Sequence, residues 1–150
     1  LSAKTGDGVD ILKKILLGLL PEGPMYFEAD DYTDQPEFRI AAEIIREKLI
    51  NRLNEEVPHG VGVEILSMKP GEDGKIEIDA TIYCEKATHK AIIIGKQGSM
   101  LKLIGTQARR ELQGILGMPV HLQLWVKVKE GWRDSPVAMR DLGYDSRDIE

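Results

Sequence analysis

Apolar positions recur along this chain with two periods, and the switches between them divide it into elements. From Gly8 to Leu20, Val9, Ile11, Leu12, Ile15, Leu16, Leu19 and Leu20 fall at helical spacing, and Pro21 ends the pattern. A second helical stripe, Ile40, Ala41, Ile44, Ile45, Leu49 and Leu53, begins behind Pro36, with Thr33 and Asp34 as capping candidates; Arg39 and Glu43 are spaced for an i,i+4 pair. After Pro58 and Gly60 the period drops to two. Val61, Val63 and Ile65 alternate, Pro70-Gly71-Glu72-Asp73-Gly74 marks a turn, and Ile76, Ile78, Ala80, Ile82 and Cys84 alternate against Glu77, Asp79, Thr81 and Tyr83, which predicts a strand with one polar face. A short helix over about Thr88–Ile94 and a longer one over Ser99–Leu116 follow. In the second, Leu101, Ile104, Ala108, Leu112, Ile115 and Leu116 are expected inward, and Gly117 and Pro119 close it. Val120, Leu122, Leu124, Val126 and Val128 alternate against His121, Gln123, Trp125, Lys127 and Lys129, the clearest strand in the chain; a last short helix is expected near Pro136–Leu142.

The order over 36–129 is helix, strand, strand, helix, helix, strand. It predicts an α+β fold: one three-stranded mixed sheet with three helices on one face. Residues 1–20 stand before it as a separate helical piece. Residues 21–35, with an acidic stretch from Glu28 to Asp34 expected to be irregular, form a linker; 36–130 is the main domain and 131–150 a tail, with 145–150 expected to be disordered. The first helix is apolar enough to require a partner surface.

Charge changes the picture. The net charge of the 150 residues is −5, yet residues 86–110 contain Lys86, Lys90, Lys96, Lys102, Arg109 and Arg110 and no acid, which leaves −11 on the remainder. A local basic patch on an acidic chain points to an anionic partner. At its centre is Gly95-Lys96-Gln97-Gly98-Ser99, behind Ile92-Ile93-Ile94. Glycine lets a ligand approach the backbone, and a helix start, with Ser99 at the cap position, suits a phosphate. Walker A geometry fails, because Lys96 and Ser99 are not adjacent and the loop is expected between two helices. A dinucleotide fold fails for want of a βαβ unit. Lys96 and Gln97 would flank a sugar–phosphate path, Lys102 and Arg109 share a stripe that extends it, and Lys90, Ile92 and Ile93 are candidate contacts beside it. No Phe, Tyr or Trp occurs from Lys86 to Leu124, so base stacking is not expected near the loop.

Little else in the chain suggests chemistry. One cysteine, Cys84, excludes an internal disulfide and a cysteine-based metal site and fits a reducing, cytoplasmic setting. His59, His89 and His121 are too scattered for a metal, and no catalytic triad spacing is present, so neither metal nor cofactor is expected. Trp125 and Trp132 are expected to pack, and Glu55-Glu56 to sit on an exposed helix end. A protein-interaction domain, docking an acidic partner through the basic patch, is the alternative to RNA binding.

The loop and the element order resemble the KH domain, whose Gly-x-x-Gly loop clamps about four nucleotides, in its helix-first, type II form. Further motifs, Ala41–Lys48, Glu55–His59, Ile104-Gly105-Thr106, and Leu124–Lys129 with Trp132-Arg133, are similar to the Era family of bacterial GTPases, and Ser2-Ala3-Lys4 resembles the guanine-base motif at the end of a GTPase domain. A related GTPase family has a KH-like domain without Gly-x-x-Gly. The resemblance implies binding of single-stranded RNA at the 3′ end of 16S ribosomal RNA during assembly of the small (30S) subunit. It places GTP and magnesium in the longer parent only, leaves this chain without enzymatic activity, and allows peripheral membrane association of the parent.

Overall fold

The computed structural model describes residues 1–24, 36–53 and 57–142. The acidic stretch 28–34, the capping candidates Thr33 and Asp34, the pair Glu55-Glu56 and residues 145–150 lie outside them. The chain divides into two units, residues 1–34 and 35–150.

In the first unit, Ser2–Asp7 forms a turn in which the Ser2 amide donates to the Asp7 carbonyl (2.9 Å) and the Gly6 amide to the Ser2 carbonyl (2.9 Å). Helix α1 spans Val9–Leu19, and none of its residues is buried; Ile11, Leu12, Ile15, Leu16 and Leu19 are all exposed.

The second unit holds α2 (Glu37–Ile50), β1 (Val61–Pro70), β2 (Ile76–Cys84), α3 (Ala87–Ile94), α4 (Ser99–Leu116), β3 (Val120–Val128) and α5 (Pro136–Asp141). The sheet order is β1-β2-β3. β1 and β2 are antiparallel and joined by the expected turn, whereas β2 and β3 are parallel, because α3 and α4 carry the chain back across one face. The alternating residues meet the helices as predicted. Val61, Val63, Ile78, Ala80, Ile82, Cys84, Val120 and Val126 form one core with Ile45 and Leu49 of α2, Ile93 of α3, and Ile104, Ala108 and Leu112 of α4. The sequence expectation of a mixed sheet under three helices is met. Two inward assignments are not: Ile115 is 55% exposed, and Val128 at the strand end is exposed as well. Glu43 pairs with Arg46 (3.1 Å), one turn on.

The second sheet face departs from expectation. Trp132 and Ala138 of the segment after β3, with Leu142, form a small core against it together with Tyr83 and Met139. The Trp132 indole N–H donates to the Gly60 carbonyl (3.2 Å), and Arg133 grips Glu85 through two hydrogen bonds. Gly62 makes the approach possible: a β-carbon there would lie 2.9 Å from Leu142 Cδ1 and 3.2 Å from Trp132 Cη2. Residues 131–142 therefore pack on the sheet, and the face read as polar is half covered. Thr81 on it is fully buried, while the Tyr83 hydroxyl donates to Glu64 (2.8 Å). Trp125, expected to pack, is 52% exposed on this same face.

Candidate nucleic-acid interface

The loop between α3 and α4 is built from an unusual run of backbone angles. Gly95 has φ 73° and ψ 178°, Gln97 φ 51° and ψ 31°, and Gly98 φ 77° and ψ 10°. The first lies in a region open essentially only to glycine, and the next two are left-handed. The Gly95 amide closes α3 on the Ala91 carbonyl (2.9 Å), and the Gly98 amide returns to the Gly95 carbonyl (3.2 Å). The result is a single tight turn whose middle residues, Lys96 and Gln97, are exposed. Because it joins helix to helix, the strand-to-helix geometry of a nucleotide-binding P-loop is not formed.

The cap residue of α4 is Gly98, not Ser99, which is already helical (φ −61°, ψ −40°). Among the described residues no side chain caps α4; the Ser99 amide, first of the helix, donates to the Lys96 carbonyl within the turn. The space that a side chain at Gly98 would occupy is empty: nothing lies within 4 Å of its missing β-carbon.

From Gly98 a groove of about 460 Å³ runs between α4 and the edge strand β3, lined by Gly98, Leu101, Lys102, Gly105, Thr106, Arg109, Leu122 and Leu124. Leu101, Leu122 and Leu124 supply apolar lining, Lys102 and Arg109 bring positive charge to it, and no acid or aromatic residue lines it. Thr106 turns its hydroxyl to the Lys102 carbonyl (2.8 Å), as a donor. Gly105 lets helix and strand close up, since a β-carbon there would meet Leu124 Cδ1 at 3.3 Å. Trp125 follows Leu124 in an alternating strand and pairs with Thr81 on the opposite sheet face, away from the groove.

Of the residues singled out in the sequence, Gly98, Lys102 and Arg109 line the groove, and Gly95, Lys96, Gln97 and Ser99 form its loop end. Lys90 and Ile92 stand on α3, outside the groove lining; Ile92 is 48% exposed. Ile93 is a correction: it is fully buried in the main core, which removes it from any ligand-facing role. Periodicity alone assigns Leu101, Leu122 and Leu124 to the core, yet each is only partly buried because it sits at the core's open edge. Gly105, in a helix interior where glycine costs about 1 kcal/mol relative to alanine, is the sequence signal for the close approach.

Cys84 is buried, its thiol near the carbonyls of Lys86 (3.6 Å) and Lys127 (3.5 Å), and burial pushes its pKa up, which suits a packing role. Among the described residues no group of three or more His, Cys, Asp or Glu could hold a metal ion, and no helix is long and apolar enough to cross a membrane.

The sequence pattern of the KH domain matches residues 56–133. The chain is 56% identical to a GTPase Era of Ruminiclostridium cellulolyticum over 144 residues, 96% of this chain and 48% of the relative. It is 57% identical to one from Caldanaerobacter subterraneus subsp. tengcongensis, over 96% of this chain and 49% of that protein. It thus spans about half the length of these relatives. Among solved structures, Aquifex aeolicus Era bound to GDP.AlF4− superposes with a TM-score of 0.88 at 45% identity, covering 92% of this chain and 46% of that one. Era in complex with MgGDPNP and nucleotides 1506–1542 of 16S ribosomal RNA superposes equally well, with the same coverage and identity. With its Gly-x-x-Gly turn between two helices and its helix-first mixed sheet, the chain belongs to the KH domain family, in the form carried by the GTPase Era proteins it resembles.

Proposed function

We propose that this chain is a single-stranded RNA-binding module in which the 95–98 turn clamps the sugar–phosphate backbone and the α4–β3 groove receives the bases. The observation that carries the reading is the continuity of the two. The open space at Gly98, at the N-terminal end of α4, leads directly into an acid-free groove lined by Lys102 and Arg109. A phosphate at the turn meets backbone donors and the positive helix end. Lys102 and Arg109 neutralise the following phosphates, and the leucines offer the bases an apolar bed without stacking.

The finer target is 16S ribosomal RNA near its 3′ end, in assembly of the small subunit. The support is that the solved Era complex contains nucleotides 1506–1542 of that RNA. GTP and magnesium chemistry would belong to a longer protein of which this chain is the C-terminal portion; the module itself performs no reaction.

The test is Lys96→Asp with Gln97→Asp. Both side chains are exposed, so circular dichroism stays native, while the added negative charge abolishes retention of single-stranded RNA in a filter assay. Unchanged retention by a natively folded variant sinks the assignment.

A further inference from the structure

Helix α3 ends on the first glycine of the turn, and it is lightly anchored. Of its eight residues only Ile93, near the C-terminal end, is buried. Among the described residues no side chain caps its start, where Lys86 holds the cap position. The residue before that cap is Glu85. Its carboxylate accepts from Arg133 Nε at 2.9 Å and from Nη2 at 2.7 Å, a bidentate geometry that fixes the orientation of both groups. The Glu85 side chain is only 18% exposed. Its carboxyl is held below the ordinary value first by the Arg133 hydrogen bonds, and further by the charges of His89 and Lys86 at the start of α3. The carboxylate thus faces both the segment after β3 and the helix, whose positive end it suits.

The other side of this clasp is fixed as well. Trp132, the residue before Arg133, is buried together with Leu142, both close to Gly62, and its indole donates to the Gly60 carbonyl. Arg133 therefore reaches Glu85 from a point secured on β1. A short helix moves as a rigid body, so a change of tilt at its start is felt at its end. That end is Gly95, bonded through its amide to the Ala91 carbonyl. There is no slack there, because the Gly95 backbone lies hard against Met100 in the first turn of α4. We propose that Glu85 and Arg133 are positioning residues for the RNA-binding turn: their clasp sets the tilt of α3, and with it the approach of Gly95 to α4. The inference rests on the RNA-binding reading above. It makes the segment after β3 part of the clamp's support without contact to RNA.

The experiment compares Glu85→Gln, Arg133→Gln and the double variant with the unaltered chain. Fluorescence anisotropy with random-sequence single-stranded RNA across a salt series gives affinity and slope, and amide NMR shifts of the free protein report on the turn. Glu85→Gln gives a test of sign. Removing an acid beside a basic segment strengthens RNA binding if only charge matters, and weakens it if the clasp positions the turn. The expected result is a weakening of about two- to fivefold for each single variant, the most that a pair of this exposure can transmit. The double variant should bind no worse than either single one, because the two residues act as a unit. The salt slope should be unchanged, and the Gly95 and Gly98 amides should shift while that of Ala80 in β2 stays. Tighter or unaltered binding by Glu85→Gln overturns the inference. So does a slope reduced by about 0.7 in Arg133→Gln alone, which would make Arg133 a phosphate contact. The 96/97 aspartate variant runs alongside. Loss of binding there with no effect at Glu85 or Arg133 removes only the positioning role, whereas no loss there removes the RNA clamp and this inference with it.

Discussion

A β-carbon on Gly95 would lie 2.7 Å from the β-carbon of Met100 and 2.9 Å from its amide nitrogen, so the first glycine of the turn is packed against the start of α4. Gly98 meets nothing. The two glycines of one motif therefore do different work: Gly95 closes the turn by contact as well as by backbone angle, and Gly98 needs only a positive φ and leaves room for a ligand. Gly95→Ala should cost about 2–4 kcal/mol from combined strain and overpacking. Gly98→Asn, a residue that accepts the left-handed region, should keep the melting temperature but weaken RNA binding by filling the open space. Equal melting temperatures for Gly95→Ala and Gly98→Asn would contradict this division.

Lys102 and Arg109 lie on one stripe of α4 at the groove. Replacing either with Gln should lower affinity across all RNA sequences and reduce the slope of log affinity against log salt by about 0.7 for each phosphate left without its cation. A change in sequence preference with an unchanged slope would instead mean that these side chains read bases.

Ile92 and Ile93 are neighbours with opposite fates, one half exposed and one sealed in the core. Ile93→Ala should destabilise by about 2–5 kcal/mol through reduced burial and a cavity, and Ile92→Ala by well under 1 kcal/mol, as is usual for exposed sites. Urea denaturation midpoints of the two variants decide the assignment; comparable midpoints would reverse it.

The contrast shows what periodicity can and cannot deliver. Element order, the sheet and the turn are legible because the chain alternates cleanly at β2 and β3 and carries Gly-x-x-Gly between two helical stripes. The roles within Ile92-Ile93-Ile94 are not, because three equal apolar residues in a short helix carry no phase; only packing against the sheet selects Ile93. The groove leucines are hidden for a related reason, since an alternating strand reads the same whether its inward face is fully roofed or left open at an edge. The covering of the second face is illegible because Gly62, Trp132 and Leu142 are distant in sequence, and Gly62 reads as a strand defect until its partners are placed on it.

Thr81 sits on that second face, fully buried, and among the described residues its hydroxyl has no hydrogen-bond partner. An unsatisfied buried hydroxyl costs about 1–3 kcal/mol. Thr81→Val keeps the shape and the β-branching and removes the polar atom. It should therefore raise stability by about 1 kcal/mol and the melting temperature by roughly 2–4 °C. A lower melting temperature would show that the hydroxyl finds a partner in solution.

Arg133 donates through Nε to Glu85 Oε1 (2.9 Å) and through Nη2 to Oε2 (2.7 Å), joining the segment after β3 to the end of β2. The Arg133 hydrogen bonds hold the Glu85 carboxyl below its ordinary value of 4.5, against a smaller opposing effect of burial. A carboxylate depressed in the folded state stabilises fully above its unfolded pKa, and that contribution fades as pH falls through the folded value. The window therefore opens just below the ordinary carboxylate range and extends downward. Arg133 is nearly half exposed, so solvent screening limits the effect to about 0.5–1 kcal/mol. Acid should thus loosen residues 131–142 before the main core. In a Trp125→Phe background Trp132 is the single tryptophan, and its emission should shift to the red below pH ~4.5. Glu85→Gln should show a weaker pH dependence and a lower stability at neutral pH. Identical acid profiles for Glu85→Gln and the unaltered chain would assign the segment's hold to Trp132 and Leu142 alone.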